Sequence, residues 1–224
     1  MEPKFEPPSL LTEKVTIFLS EMIIEGRLKP GEHLTEIQLS KRFGISRSPI
    51  REALRILEQK GFVVNIPRKG NYVRTVTKND ISEVFSVRAV LEGFAARLST
   101  SNLNQEDFDK LEFLVERMTE SAKKNDFKAF LDHHYNFHRT YIKASKNGFL
   151  TKTLEDILNQ ALWLHHAYVY MQYTHKYSIE KHIEILNAFK KREAKEAERL
   201  VKEHILASVD PIVKQLSKGA RNAE

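Results

Sequence analysis

A chain of 224 residues is long enough for one large core or two small ones. Its 36 basic and 30 acidic side chains leave a formal charge of +6, so contact with a polyanion has to come from a local excess of charge. The absence of cysteine excludes disulfides and thiolate ligands, and no apolar stretch approaches the roughly 18 residues of a membrane span, so no membrane partner is expected. The acidic, proline-rich start is unlike a signal peptide, and a cytoplasmic protein is expected.

Residues 1–9 hold three prolines and read as a loose arm. Residues 10–25 read as an amphipathic helix with Val15, Phe18, Leu19, Met22 and Ile23 inward. Gly26 stops it, and Leu28, Lys29, Pro30 and Gly31 form a turn. Residues 35–61 then read as two short helices joined by a tight turn. Thr35 can cap the first, and Leu39 and Phe43 give it an apolar face. Gly44 permits a left-handed turn, Ser46 can cap the second helix, and Pro49 falls in its first turn, where a missing N–H costs little. Ile50, Ala53, Leu54 and Leu57 face inward, while Arg47, Arg51 and Arg55 share another face. This is a helix-turn-helix pattern. Arg47 and Ser48 sit where base edges would be met, and Arg51 can reach a base or a phosphate. Arginines on a helix can equally be a solvated face, so the next stretch matters. Residues 62–66 and 72–76 read as the strands of a β-hairpin with Arg68 and Lys69 at its tip, the wing of a winged helix. Between Ile45 and Arg74 seven basic residues face two acidic ones, the local excess that a DNA-docking surface needs.

A boundary is expected near Val76, dividing a DNA-binding domain at 1–76 from a helical domain at 77–224. Thr77 and Asp80 resemble a capping box. Helices are expected at about 79–99, 105–123, 126–145, 150–173, 178–190 and 192–208, with breaks at Ser101-Asn102, Asn125, Asn147-Gly148 and His175-Lys176. A seventh at 211–219 would complete the bundle, and the last residues read as frayed. The fold class is therefore mainly α: a winged helix-turn-helix, then an all-helical bundle of six or seven helices.

Nine histidines is a generous count. His134 and His138 are one turn apart and share a helix face; His182 and His204 belong to two later helices. Histidines converging inside a bundle can hold a transition metal, although a lone helical histidine is more often simply hydrogen-bonded. Asp132 lies on a different side of its helix from His134. Arg88 can pair with Glu92, four residues on. Tyr135, Trp163 and Tyr168 fit either a cavity wall or the core, and only one of His165 and His166 can face inward, with neither placed among the metal ligands.

Three runs, GRLKPGEHLTE at 26–36, LSKRFGISRSPIREALRILEQKGFV at 39–63 and PRKGNYV at 67–73, resemble the winged-helix domain of the GntR family of bacterial transcriptional regulators. The resemblance implies that Arg47, Ser48 and Arg51 contact the operator. The family often has an arginine immediately after Glu36; Ile37 stands here, which implies a missing contact. VRAVLEGFAARLS at 87–99, NFHRTYIKASKN at 136–147 and EKHIEILNAFKKREAKEAERLVKEHI at 180–205 resemble the C-terminal domain of the FadR branch. That branch implies a homodimer on pseudo-palindromic operator DNA, responsive to a small organic acid effector. Its metal-binding members have histidines at the positions of His138, His182 and His204, and usually aspartate at that of His134. Four neutral ligands favour zinc or nickel over magnesium or calcium. Arg88 matches an arginine that points into the family's effector pocket. The expected function is a regulator, a repressor on family grounds, with a carboxylate effector at the metal. A purely structural or signalling metal is the alternative within that class. A metal-dependent enzyme with Glu180 or Glu184 as base is the alternative outside it, and the attached DNA reader argues against it.

Overall fold

Apolar residues at helical spacing set the first element of the described chain. The computed structural model describes residues 10–168 and 175–214. Two compact units divide between Val76 and Thr77. The arm expected at 1–9, the end of the helix expected to reach 173 and the frayed terminus lie outside the described residues.

In the first unit, α1 (Leu10–Ile24) packs on α3 (Arg47–Gln59). Val15, Leu19, Met22 and Ile23 are buried on one side, and Ile50, Ala53, Leu54 and Leu57 on the other. Burying each large aliphatic side chain contributes about 1.5–3 kcal/mol. Phe18, expected inward, is instead 41 % exposed and meets Phe43 edge-on at 5.5 Å between ring centres. It sits at the rim of the apolar stripe, where an aromatic ring can lie along the neighbouring helix while staying partly wet.

Thr35 caps α2 (Glu36–Phe43), its hydroxyl accepting from the Gln38 N–H at 3.2 Å. Gly44 takes φ 65°, a left-handed conformation, and its N–H donates to the Ser40 carbonyl, closing the helix end. Ser46 stands at the N-cap of α3 in extended conformation but makes no side-chain capping bond, contrary to expectation. Of the two N–H groups that a capping serine can take, the one at the third helical position is missing, because Pro49 stands there.

Three short strands follow the order β1-β3-β2, all antiparallel: β1 (His33–Leu34), β2 (Val63–Ile66) and β3 (Gly70–Val73). The hairpin strands are shorter than expected, and β1 was not anticipated, because two residues cannot show a period of two. His33 stacks on Tyr72 at 4.5 Å across the β1–β3 pair. At the hairpin tip Lys69 N–H donates to the Ile66 carbonyl at 2.9 Å, and Arg68 between them takes φ 65°. Pro67 before a left-handed residue is the pattern of a type II turn, which normally favours glycine where Arg68 stands.

The second unit is helical: α4 (Lys78–Ser99), α5 (Gln105–Lys123), α6 (Phe127–Ala144), α7 (Gly148–Tyr168), α8 (His175–Lys190) and α9 (Ala194–Ala207). Capping boxes start α4, with Thr77 and Asp80, and α5, with Asn104 and Asp107. The α8 helix begins at His175, earlier than expected. Helix resumes at 209–214, and the rest of the helix expected at 211–219 lies outside the described residues. The α4 helix packs most extensively on α9 and also meets α6 and α7, while α5 lies on α6 and α8. A Cβ at Gly93 would fall 2.7 Å from the Lys202 side chain, so glycine lets α4 lie close to α9. This arrangement turns the inner faces of α4, α6, α8 and α9 toward common ground.

Candidate functional site

The α6 helix supplies His134 and His138 one turn apart, α8 supplies His182 and α9 supplies His204. All four are buried, with at most 2 % exposure. Their candidate ligand nitrogens all lie within 4.8 Å of one another. Nitrogens at about 2.0–2.1 Å from a zinc ion stand at most roughly 4.2 Å apart, so small side-chain rotations would close the set.

The hydrogen bonds around two of these rings settle their tautomers. The Nδ1 of His182 lies 2.7 Å from the Ser178 carbonyl, which can only accept, so Nδ1 carries the proton. The Nδ1 of His138 lies 2.5 Å from a Glu92 carboxylate oxygen, with the same consequence. Both Nε2 atoms then present lone pairs, and these atoms face each other at 3.3 Å. Two lone pairs in a dry interior repel unless a cation or proton lies between them. Both nitrogens of His134 and the Nδ1 of His204 have no hydrogen-bond partner at all. Buried polar atoms are costly to leave unsatisfied, and a metal ion is a group that would satisfy them together. The cluster could therefore hold one, through neutral imidazoles.

Neutrality is imposed by the surroundings. Burial pushes the His182 pKa down to about 3, with nearby His138 adding to the effect. Burial and the neighbouring histidines hold His134 and His204 well below the ordinary histidine value. His138 is also lowered by burial, although Glu92 opposes this.

Behind the histidines stands a set that sequence reasoning mostly missed. Glu92 is fully buried and accepts from Arg88 Nε on one oxygen. Its other oxygen receives His138 Nδ1 and the Tyr141 hydroxyl, both at 2.5 Å. Burial raises its pKa, but Arg88, His138 and Tyr141 outweigh that and hold it at about 2, so it is a carboxylate. Tyr141 is pushed the other way, well above the ordinary phenol value, by burial and by Glu92, and so remains a donor. A carboxylate on the far nitrogen of a ligand histidine fixes its ring and tautomer and raises its basicity. The Arg88–Glu92 spacing was visible in the sequence; the reach of Glu92 to His138 on another helix was not.

Arg88 is 1 % exposed and its fork is largely committed. Nε serves Glu92, and NH1 lies 3.4 Å from the Tyr135 hydroxyl. Only NH2 lacks a partner. Tyr135, in turn, is 2.6 Å from Nδ1 of buried His165, whose ring centre is 6.1 Å from that of His134. His165 is thus buried beside the cluster. Trp163 is buried, whereas the side chains of His166 and Tyr168 lie outside the described residues. Asp132 is exposed and does not join the site. Glu180 and Glu184 also face solvent, so neither is placed as a base at the cluster.

The first unit holds a second candidate site. Arg47, Ser48 and Arg51 are exposed at the N-terminal end of α3, and Arg68 and Lys69 are exposed at the hairpin tip. Arg51 pairs with Glu36 at the start of α2, Nε to one oxygen at 2.8 Å and NH2 to the other at 2.9 Å. Ile37 beside it is 60 % exposed and offers no side-chain donor.

Residues 11–73 match the family described as bacterial regulatory proteins, gntR family, and residues 83–207 match the FCD domain. YdhC of Bacillus subtilis, an HTH-type transcriptional regulator, is 31% identical over 210 residues, which cover 91% of this chain and 92% of that one. The gluconate operon transcriptional repressor of Bacillus licheniformis is 33% identical over 138 residues, 61% of this chain and 56% of its own. Among solved structures, E. coli McbR/YncC shares the fold with a TM-score of 0.80 at 24% identity, covering 92% of this chain and 99% of that one.

Proposed function

This chain belongs to the GntR family of bacterial transcriptional regulators, with an FCD domain as its helical unit, and from that premise we propose that it is a DNA-binding repressor controlled by a small carboxylate at a metal centre. Its relatives are regulators rather than enzymes, and it is read as one. His134, His138, His182 and His204 hold the ion, zinc or nickel, since four nitrogen donors suit a borderline-soft metal. A divalent ion among neutral ligands supplies positive charge for an anionic guest. Arg88 then offers NH2 to a second oxygen or a distal acid group, while its other nitrogens stay with Glu92 and Tyr135. Glu92 and Arg88 offset each other in charge, which leaves the charge of the ion for the guest. The gluconate operon repressor among the relatives makes a sugar or hydroxy acid a natural first candidate.

The winged helix reads the operator through Arg47, Ser48 and Arg51, with Arg68 and Lys69 on the backbone or in the minor groove. One recognition helix covers only a few base pairs, so a two-fold dimer on a pseudo-palindromic operator is the working unit. A regulator that works on DNA acts in the cytoplasm; no helix among the described residues is long and apolar enough to cross a membrane. The effector acts by binding more tightly to the form that fits DNA poorly.

The observation that carries the metal reading is the pair of facing lone pairs on His138 and His182, with the unpartnered nitrogens of His134 around them. The complete burial of the ligands favours a second reading, a structural ion with no guest. Elemental analysis of purified protein, beside calorimetry with hydroxy, keto and dicarboxylic acids, separates the two. Metal at one per chain with acid binding that disappears in His182→Ala supports the first reading. Metal without acid binding supports the second. Tight acid binding to metal-free protein, unchanged in His182→Ala, overturns both.

A further inference from the structure

The Glu36–Arg51 pair deserves a functional reading of its own, and the geometry carries one. An arginine has two edges that can meet a planar pair of acceptors: Nε with one terminal nitrogen, or the two terminal nitrogens together. Glu36 takes the first edge, with one oxygen on Nε at 2.8 Å and the other on NH2 at 2.9 Å. Two of the five N–H groups of Arg51 are then used. The three that remain include both outward hydrogens of the end edge, the edge that matches guanine O6 and N7 or two phosphate oxygens. Clamping one edge also fixes the plane of the guanidinium, so the free edge points one way.

The partners sit on different elements. Glu36 is the first residue of α2 and Arg51 lies one turn into α3, so the pair crosses the turn of the helix-turn-helix. Arg51 remains 54 % exposed in its side chain, whereas Glu36 is more sheltered at 26 %. Arg47 and Arg55 lie close enough to depress the Glu36 carboxyl further, after Arg51 itself. A carboxylate set among three arginines on a surface that meets a polyanion is unfavourable for bare electrostatic affinity. It repels phosphates and occupies a cation that would otherwise pair with one. Its presence makes sense if affinity for any DNA is given up for selectivity.

We propose that Glu36 is a specificity-determining positioning residue: it holds Arg51 for a base edge and withholds it from the phosphate backbone. This rests on α3 being the reading helix, and the test separates the two claims. A duplex selected by the full-length protein from a randomised library serves as the specific probe, and a scrambled duplex of equal length as the non-specific one. Glu36→Gln keeps the shape and one acceptor but removes the charge and one arm of the clamp. The ratio of non-specific to specific Kd should fall about tenfold, within the range of one bidentate base contact. Binding to the scrambled duplex should tighten, and its log–log salt slope should steepen by about 0.9 per protomer as Arg51 gains a phosphate. The thermal midpoint should hardly move, because exposed pairs add little stability. Glu52→Gln removes a carboxylate from α3 that pairs with Arg55, and it should leave the ratio unchanged.

A lower thermal midpoint with an unchanged ratio in Glu36→Gln would show that Glu36 only serves the first turn of α2, and the proposal fails. An equal fall in Glu52→Gln would show a general charge effect, which also overturns it. Wild-type binding to both duplexes by Arg51→Ala would instead remove Arg51 from the DNA face, so that the underlying reading of this residue fails first.

Discussion

Two arginine–glutamate pairs, made of the same chemical groups, do different work in the two units. Arg51–Glu36 lies at the surface, where water screens the pair and leaves it little weight in stability. Arg88–Glu92 lies in the helical core with at most 1 % of either side chain exposed, where neither can leave without stranding the other. The surface pair matters through what it directs outward. The buried pair matters through what it holds still: Glu92 links Arg88 to His138 and Tyr141, so one carboxylate fixes an arginine, a candidate ligand ring and a phenol. The lesson concerns surroundings rather than residue types. At the surface a carboxylate tunes selectivity, and in the core it carries structural weight.

The strongest test of that contrast is Glu92→Ala. Removing one partner of a buried ion pair typically costs about 3–5 kcal/mol, because Arg88 keeps its charge without compensation. His138 loses the acceptor that sets its tautomer, and loss of such an outer partner lowers metal affinity about 10- to 100-fold. Thermal unfolding and metal titration of the full chain check both numbers. An unchanged melting temperature with full metal content would break the comparison, since the buried pair would then behave like an exposed one.

A smaller effect is expected on the DNA side. Arg47→Ala should cost about 1–3 kcal/mol of discrimination if Arg47 reads a base edge, with little change in folding. Lys69→Ala should weaken all duplexes more evenly and reduce the salt slope by about 1. Binding assays at several salt concentrations distinguish the two patterns. Equal losses on specific and scrambled DNA for Arg47→Ala would remove it from base reading.

How far the sequence disclosed these features follows from how local each one is. Caps, turns and helix faces depend on residues within a few positions, so Thr35, Gly44 and the box of Thr77 with Asp80 were legible. The four histidines were legible as candidates because two share a helix face, two fall on later helices, and a family resemblance matched His138, His182 and His204. Glu92 and His165 were not, since their roles depend on three-dimensional neighbours 46 and 30 residues away in sequence. Likewise the commitment of the Arg88 fork could be half seen, in Glu92 four residues on, but its bond toward Tyr135 could not. Ser46 illustrates the opposite error: a local rule applied without noticing that Pro49 removes one of the two donors it could use.

The smallest expected effect lies at the hairpin tip, and it tests whether the outer surface is shaped for contact at the expense of folding. Arg68 holds φ 65° in a turn where glycine is preferred. A left-handed backbone costs a non-glycine residue roughly 1–2 kcal/mol, while glycine gives back roughly 0.5–1 kcal/mol through its freer unfolded chain. Arg68→Gly should therefore leave stability unchanged or raise it by up to about 1.5 kcal/mol. Affinity for DNA should move in the other direction, because the side chain that the strained turn presents is gone. Arg68→Ala separates the causes: it removes the same charge but keeps the strain, so it should match Arg68→Gly in DNA binding and fall below it in stability. Denaturation and binding measured on both variants decide the matter. If Arg68→Gly binds DNA as tightly as the parent, the arginine is a tolerated strain rather than a contact, and the wing makes its approach through Lys69 alone.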